Sequence, residues 1–186
     1  MPVSQITEVF NERLGARYGV RLKGGGAEPF YQAPKAPECA LIVFRADYSA
    51  SALHEVAHWC LAGPQRRQFD DYGYWYLPAR NAAQQAAFEA VEARPQALEA
   101  LFAEAAGVDF QVSSDDVACL PSPAFKARVA AERRLIEQQL PVRARCFLAA
   151  LKGANALIAP TAARTASVTA SGTVSQSVAG SRTVNA

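Results

Sequence analysis

Histidine is almost missing from this sequence: there are two in 186 residues, and both lie within one stretch of five. A third histidine for an all-imidazole metal site is therefore excluded. Charge of one sign is also lacking, since 19 Lys and Arg against 17 Asp and Glu leave a formal net charge of +2. That balance gives no bulk attraction for nucleic acid, and direct nucleic-acid binding is not expected. No apolar run approaches the roughly 20 residues needed to cross a bilayer, so no membrane association is expected. The four cysteines (Cys39, Cys60, Cys119 and Cys146) show neither a CxxC nor a zinc-finger spacing. The first twenty residues are amphipathic and charged, without the continuous apolar segment of a secretory leader. Together these absences predict free thiols in a reducing, cytoplasmic setting.

What is present is hydrophobic content of 51%, enough for one domain with one core. Residues 4–18 carry Ile6, Val9, Phe10 and Leu14 at helical spacing. "VRLKGGGAEPFYQ" (20–32) reads as a strand, a glycine turn and a second extended piece. "CALIVFRADYS" (39–49) is the best strand, a short apolar run suited to a buried position. A helix follows, with Ser49 or Ser51 as its cap and Gly63–Pro64 as its stop. "RRQFDDYGYWYLP" (66–78) reads as extended. Further helices are expected from about Asn81 to Ala106 with an interruption near Pro95, over 124–140, and from 142 to a stop at Gly153. Beyond Ile158 the chain is dominated by Ala, Ser, Thr, Val and Gly without aromatic or acidic residues. The expectation is a domain over 1–158 and a disordered, low-complexity tail over 159–186.

The chemistry concentrates in "ASALHEVAHWCLAG" (50–63). His54 and His58 are one helical turn apart, so both imidazoles leave the same face and can meet one ion. Leu53, Ala57, Cys60 and Leu61 form the apolar stripe beside them, and Cys60 is read as a small hydrophobe. A carboxylate or thiolate must then complete the site. In "AAFEAVEARPQALEALF" (86–102), Glu92 lies about 40° from Phe88 around the helix, almost within the apolar face, whereas Glu89 lies about 100° away. A carboxylate aimed at a core is costly unless paired or bound to a cation. Glu92 is the expected third ligand and Glu89 the reserve. Two histidines and one carboxylate suit zinc, with Glu55 as general base of a metallopeptidase. They equally suit iron(II) with open positions for dioxygen. Ligand type alone does not choose.

The wider text does. The HExxHWC segment, followed by "RRQFDDYGYWYLP", "FEAVEARPQALEALFAEAAG" and "FQVSSDD", resembles in order and spacing the elongation factor P hydroxylase family over about residues 4–155. The HExxHWC form joined to GYWY and to ExxExxPQAL is far more specific than HExxH alone. The resemblance implies an α+β fold, a small sheet with several helices, whose metal helix resembles that of zincin-type peptidases. It implies a non-haem Fe(II) enzyme with dioxygen as co-substrate. Its partner would be elongation factor P in its β-lysylated form, hydroxylated as the last step of that modification. His54, His58 and a glutamate of the later helix would hold the ion, with Glu89 and Glu92 both compatible. Glu55 would support a histidine, relay a proton or meet the substrate amine.

A β-lysyl-lysine arm is long and cationic, so aromatic walls and carboxylates suit it. Asp71, Tyr72, Tyr74 and Trp75 are the expected substrate contacts, with Asp70, Tyr76, Asp115 and Asp116 as neighbours in kind. The competing reading makes the same aromatics a plain sheet face. Lys126, Arg128, Arg133 and Arg134 read as a solvated helix face.

Overall fold

A computed structural model of the protein describes residues 1–71, 80–114 and 120–158. The expected tail, and the candidates Tyr72, Tyr74, Trp75, Tyr76, Asp115 and Asp116, lie outside the described residues.

The apolar run after Cys39 becomes the central strand. β3 (Ala40–Arg45) lies between β1 (Val20–Gly26), which it pairs in parallel, and β2 (Phe30–Gln32), which it pairs antiparallel. Its register sets Leu22 opposite Ile42 and Tyr31 opposite Ile42 on the two sides. Ala40, Ile42 and Phe44 are buried while their neighbours are less so, the alternation of a half-covered sheet. The three glycines are not a loose turn as the sequence suggests, because they close β1 itself. A Cβ on Gly24 would lie 2.7 Å from the Phe44 ring, and one on Gly26 would lie 2.6 Å from Val43. Glycine lets the strand end pack this tightly against β3.

The N-terminal helix is α1 (Val3–Phe10), a π turn over Asn11–Gly15 and the short α2 (Ala16–Tyr18). The Asn11 side chain donates to the Leu22 carbonyl at 3.0 Å and accepts from its N–H at 2.8 Å, tying this helix to β1.

α3 (Ser49–Leu61) leaves β3 through a tight link in which Ala46 holds φ of 45°. Neither serine caps it. Tyr48 stands at the N-cap without a side-chain bond, and Ser51 Oγ accepts instead from the Arg45 N–H at 3.0 Å. The segment after α3 departs from an extended reading, since Arg66–Gln68 form a 3-10 turn. Asp71 then pairs with Tyr31 through two backbone bonds of 2.7 and 2.8 Å.

α4 (Ala82–Ala106) starts in a capping box between Asn81 and Gln84 and ends at Gly107 with φ of 64°. It runs through Pro95 without the expected interruption. The proline lacks the N–H that would reach the Val91 carbonyl, and Val91 is 38% exposed, so water can serve that carbonyl. Packing of α4 against α3, α5 (Pro123–Gln138) and α6 (Val142–Ile158) outweighs the local penalty. α6 likewise continues past Gly153, where a side chain would meet nothing.

Phe10, Trp59, Phe102 and Phe147 meet edge to face at centroid distances of 5.0–5.5 Å and join the helices over one side of the sheet. The molecule is thus a mixed α+β protein with a three-stranded sheet. Among the described residues, no helix is long and apolar enough to cross a membrane. Cys39, Cys60 and Cys146 are free thiols.

Candidate metal centre

Two helices build the site. α3 offers His54 and His58 from one face, and α4 passes alongside with Glu92 turned inward. The two Nε2 atoms stand 3.0 Å apart. Glu92 Oε1 lies 3.3 Å from His58 Nε2, and Oε2 lies 3.5 Å from His54 Nε2. The sequence-expected ligands His54, His58 and Glu92 are therefore brought together. Glu89 is not: its carboxylate faces Gln85 at 3.2 Å and Ser122 at 3.5 Å. α4 buries Glu92, which is 2% exposed, in keeping with its small angle from Phe88 around the helix.

The donor set fits a divalent ion. Two ligands each about 2.1 Å from one metal stand roughly 3.0–3.4 Å apart when they subtend about 90–110°. The separations of 3.0 and 3.3 Å fall within that range, and that of Glu92 Oε2 from His54 Nε2, at 3.5 Å, lies just beyond it. Among the described residues, Glu92 Oε2 is buried and has no hydrogen-bond partner, its approach to His54 being an ionic contact only. A buried carboxylate oxygen left this way is costly unless a cation takes it.

A residue that the sequence reading passed over completes the surroundings. Glu99 Oε2 lies 2.8 Å from His54 Nδ1, and the residue is 8% exposed. Glu99 follows Glu92 by seven positions, only about 20° round the helix, so the same face carries both. That heptad spacing was the available signal. It is obscured by the apolar letters of "ALEALF" and by attention to the ExxE pair. Gln96 occupies the turn between them, donating to the Ser113 carbonyl at 2.8 Å and accepting from the Ser113 N–H at 3.0 Å.

These charges set the proton affinities. Burial alone would depress His54, but its hydrogen bond to Glu99 and the charges of Glu99, Glu55 and Glu92 outweigh it and push the pKa up to about 10. Burial likewise opposes the charge on Glu92, yet the His58 hydrogen bond and the two imidazoles hold its carboxyl below the usual value.

The C-terminal end of α3 is clamped from α6. Arg143 Nη2 donates to the carbonyls of Trp59 and Cys60 at 3.0 Å and of Ala62 at 2.6 Å. Its guanidinium sits 4.8 Å from the Trp59 ring centroid. Cation and helix terminus are complementary, since the last carbonyls carry partial negative charge. Trp59 packs against Phe10 and Tyr18, a packing role as its place on the helix suggests.

The imidazoles open onto a cavity of about 700 Å³ whose wall includes Glu28, Tyr31, Tyr48, Glu55, Arg66 and Asp71. Asp71, expected to contact substrate, and Glu55, expected to support a histidine, relay a proton or meet the substrate amine, are on that wall. Asp71 is already engaged, because Arg66 donates to its Oδ2 from Nη2 at 2.6 Å and from Nε at 2.8 Å. Asp70 is elsewhere: it accepts from the Ala33 N–H at 2.8 Å and from Lys35 at 3.3 Å. That backbone bond is the main reason its carboxyl is held below the usual value. On α5, Arg133 pairs with Glu104 and Glu137, as a solvated face would.

A histidine pair and a buried carboxylate stand at the wall of a cavity, the set that the sequence resemblance implies. The model of the elongation factor P hydroxylase family matches residues 9–162. The chain is 40% identical over 155 residues to the elongation factor P lysine hydroxylase of Haemophilus influenzae, covering 80% of this chain and 86% of that protein. This chain belongs to the elongation factor P hydroxylase family.

Proposed function

We propose that this protein is a cytoplasmic, iron(II)-dependent oxygenase that hydroxylates the β-lysylated lysine of elongation factor P, the last step of that modification, with residues 1–158 as its catalytic domain. The observation that carries the reading is the convergence of His54, His58 and the buried Glu92 carboxylate, one of whose oxygens has no hydrogen-bond partner, on a cavity, in a chain of this family. Zinc peptidase chemistry at the same motif is not favoured by the family match.

Iron(II) held by His54, His58 and Glu92 would supply the binding and reductive activation of dioxygen. Overall, one C–H bond of the lysyl arm becomes C–OH and the second oxygen atom leaves as water. This consumes two electrons and two protons from a reductant. The protein's share is positioning. Tyr31 and Tyr48 give the arm apolar and cation–π surface, with attraction of about 0.5–2 kcal/mol for a well-placed ammonium. Glu55, one residue from a ligand and on the cavity wall, accepts a substrate N–H or carries a proton at the mouth of the site. Glu28, on the β1–β2 turn, adds a second carboxylate to that wall. Asp71 contacts substrate only by sharing or releasing Arg66, and Tyr72, Tyr74 and Trp75 continue the same segment.

The test is intact-mass measurement of β-lysylated elongation factor P after incubation with iron(II)-loaded protein and a reductant under air. A gain of one oxygen atom that disappears without dioxygen, or with zinc in place of iron, supports the reading. Cleavage of the factor by the zinc-loaded protein would replace it with a peptidase.

A further inference from the structure

Glu99 is not a ligand in the set just described, yet it is the closest polar contact His54 makes outside it. We propose that Glu99 is the positioning residue of the centre: it holds a proton on His54 Nδ1 and thereby commits Nε2 to the metal. The inference rests on the metal reading above and adds to it a residue outside the ligand set.

A neutral imidazole has one N–H and one lone pair, and which nitrogen carries which depends on its partners. Ionised Glu99 can only accept, so at 2.8 Å its Oε2 requires the proton on Nδ1. Nε2, 3.0 Å from His58 Nε2 and 3.5 Å from Glu92 Oε2, is then the atom with electrons to give. The opposite tautomer would set a lone pair against a carboxylate and an N–H where the ion belongs. Glu99 also fixes the ring plane. His54 is on α3, and Glu99 shares one face of α4 with Glu92, so a single helix carries both a ligand and the group that aims another ligand. Any slide of α4 along α3 would disturb both together, which ties the centre's geometry to the packing of this helix pair.

Partners of this kind typically change metal affinity by 10–100-fold. The experiment uses cobalt(II) as the probe, with affinity read by competition against a chromophoric chelator. The imidazole N–H of the cobalt-loaded protein is followed as a paramagnetically shifted, exchangeable proton resonance. Glu99→Leu keeps an apolar filling of similar size, Glu99→Gln restores an acceptor oxygen, and Leu151→Ala on α6 controls for lost stability alone. The expected result is a 10–100-fold loss of cobalt affinity in Glu99→Leu with the His54 N–H resonance lost to exchange. Glu99→Gln should recover most of the affinity and the resonance, and Leu151→Ala should change neither. Wild-type affinity in Glu99→Leu, or equal losses in Glu99→Leu, Glu99→Gln and Leu151→Ala, would overturn the proposal. Wild-type protein that takes up no cobalt would overturn the metal reading itself and this proposal with it, an outcome visible before any variant is made.

Discussion

The Nε2 atoms of His54 and His58 face each other at 3.0 Å. At that distance two N–H groups cannot point at one another, so the pair stores either a shared proton or a shared ion. Glu92, reaching both rings from α4, biases the choice toward a cation.

The first prediction concerns the ligand set. His54→Ala, His58→Ala and Glu92→Gln should each lower iron(II) affinity and hydroxylation of the factor by at least about 100-fold, because each removes one of three protein ligands. Glu89→Gln should leave both within about twofold, since its partners are Gln85 and Ser122. Equal losses at 89 and 92, measured by metal titration and product mass, would reassign the third ligand.

The metal-free and metal-loaded proteins should respond to pH in opposite senses. His54 is raised from 6.5 to about 10. Its contribution to stability is fully present below pH 6.5 and disappears as pH climbs through 10, and it is on the order of a few kcal/mol at most. Glu92 is shifted down, so its contribution is present above its unfolded value near 4.5 and is lost as pH falls through the folded value. The apo protein should therefore melt highest between about pH 4.5 and 6.5 as far as these two groups decide. Metal must displace the His54 proton, so the rise in Tm on adding metal should grow from pH 6.5 to 9. A metal-induced shift that shrinks over that range in calorimetry would contradict this proton inventory.

The β1 glycines make a packing prediction. Gly24→Ala would bring a methyl to 2.7 Å from Phe44 Cζ and 2.9 Å from the Ala46 carbonyl. Overpacking of this type costs about 1–3 kcal/mol. Urea denaturation should show a lower midpoint with an unchanged slope, and a midpoint equal to wild type would mean that the strand end yields freely.

Local signals were legible in the sequence wherever one residue type had one physical meaning. The HExxH turn, the run at Ala40–Arg45 and the tilt of Glu92 toward the core all followed from periodicity. Features decided by tertiary partners were not legible. Pro95 is carried through α4, a helix that packs against three others, and Gly153 sits inside α6 for lack of any competing stop. The serines before α3 look like caps, yet Ser51 serves the end of β3 instead. Glu99 was hidden because its partner is 45 residues away on another helix. Asp71 lies on the cavity wall, and its pairing with Arg66 depends on the turn between them, which the sequence read as extended.

Arg143 gives the last prediction. Its Nη2 serves three carbonyls at the end of the metal helix while its face rests over Trp59. Charged hydrogen bonds contribute about 1.5–3 kcal/mol, so Arg143→Met should destabilise the fold by roughly 2–3 kcal/mol. For a chain of this size that is a fall in Tm of about 5–10 °C. Arg143→Lys should not rescue it, because an ammonium lacks the planar fork and the stacking face of guanidinium. His58 lies one position before Trp59, so fraying of the helix end should also weaken iron(II) binding, though less than Glu92→Gln does. The two effects separate by temperature: affinity should recover on cooling in Arg143→Met, where the ligands are intact, and should not recover in Glu92→Gln. An Arg143→Met protein that melts within about 2 °C of wild type would show that water can serve those carbonyls as well as the guanidinium does.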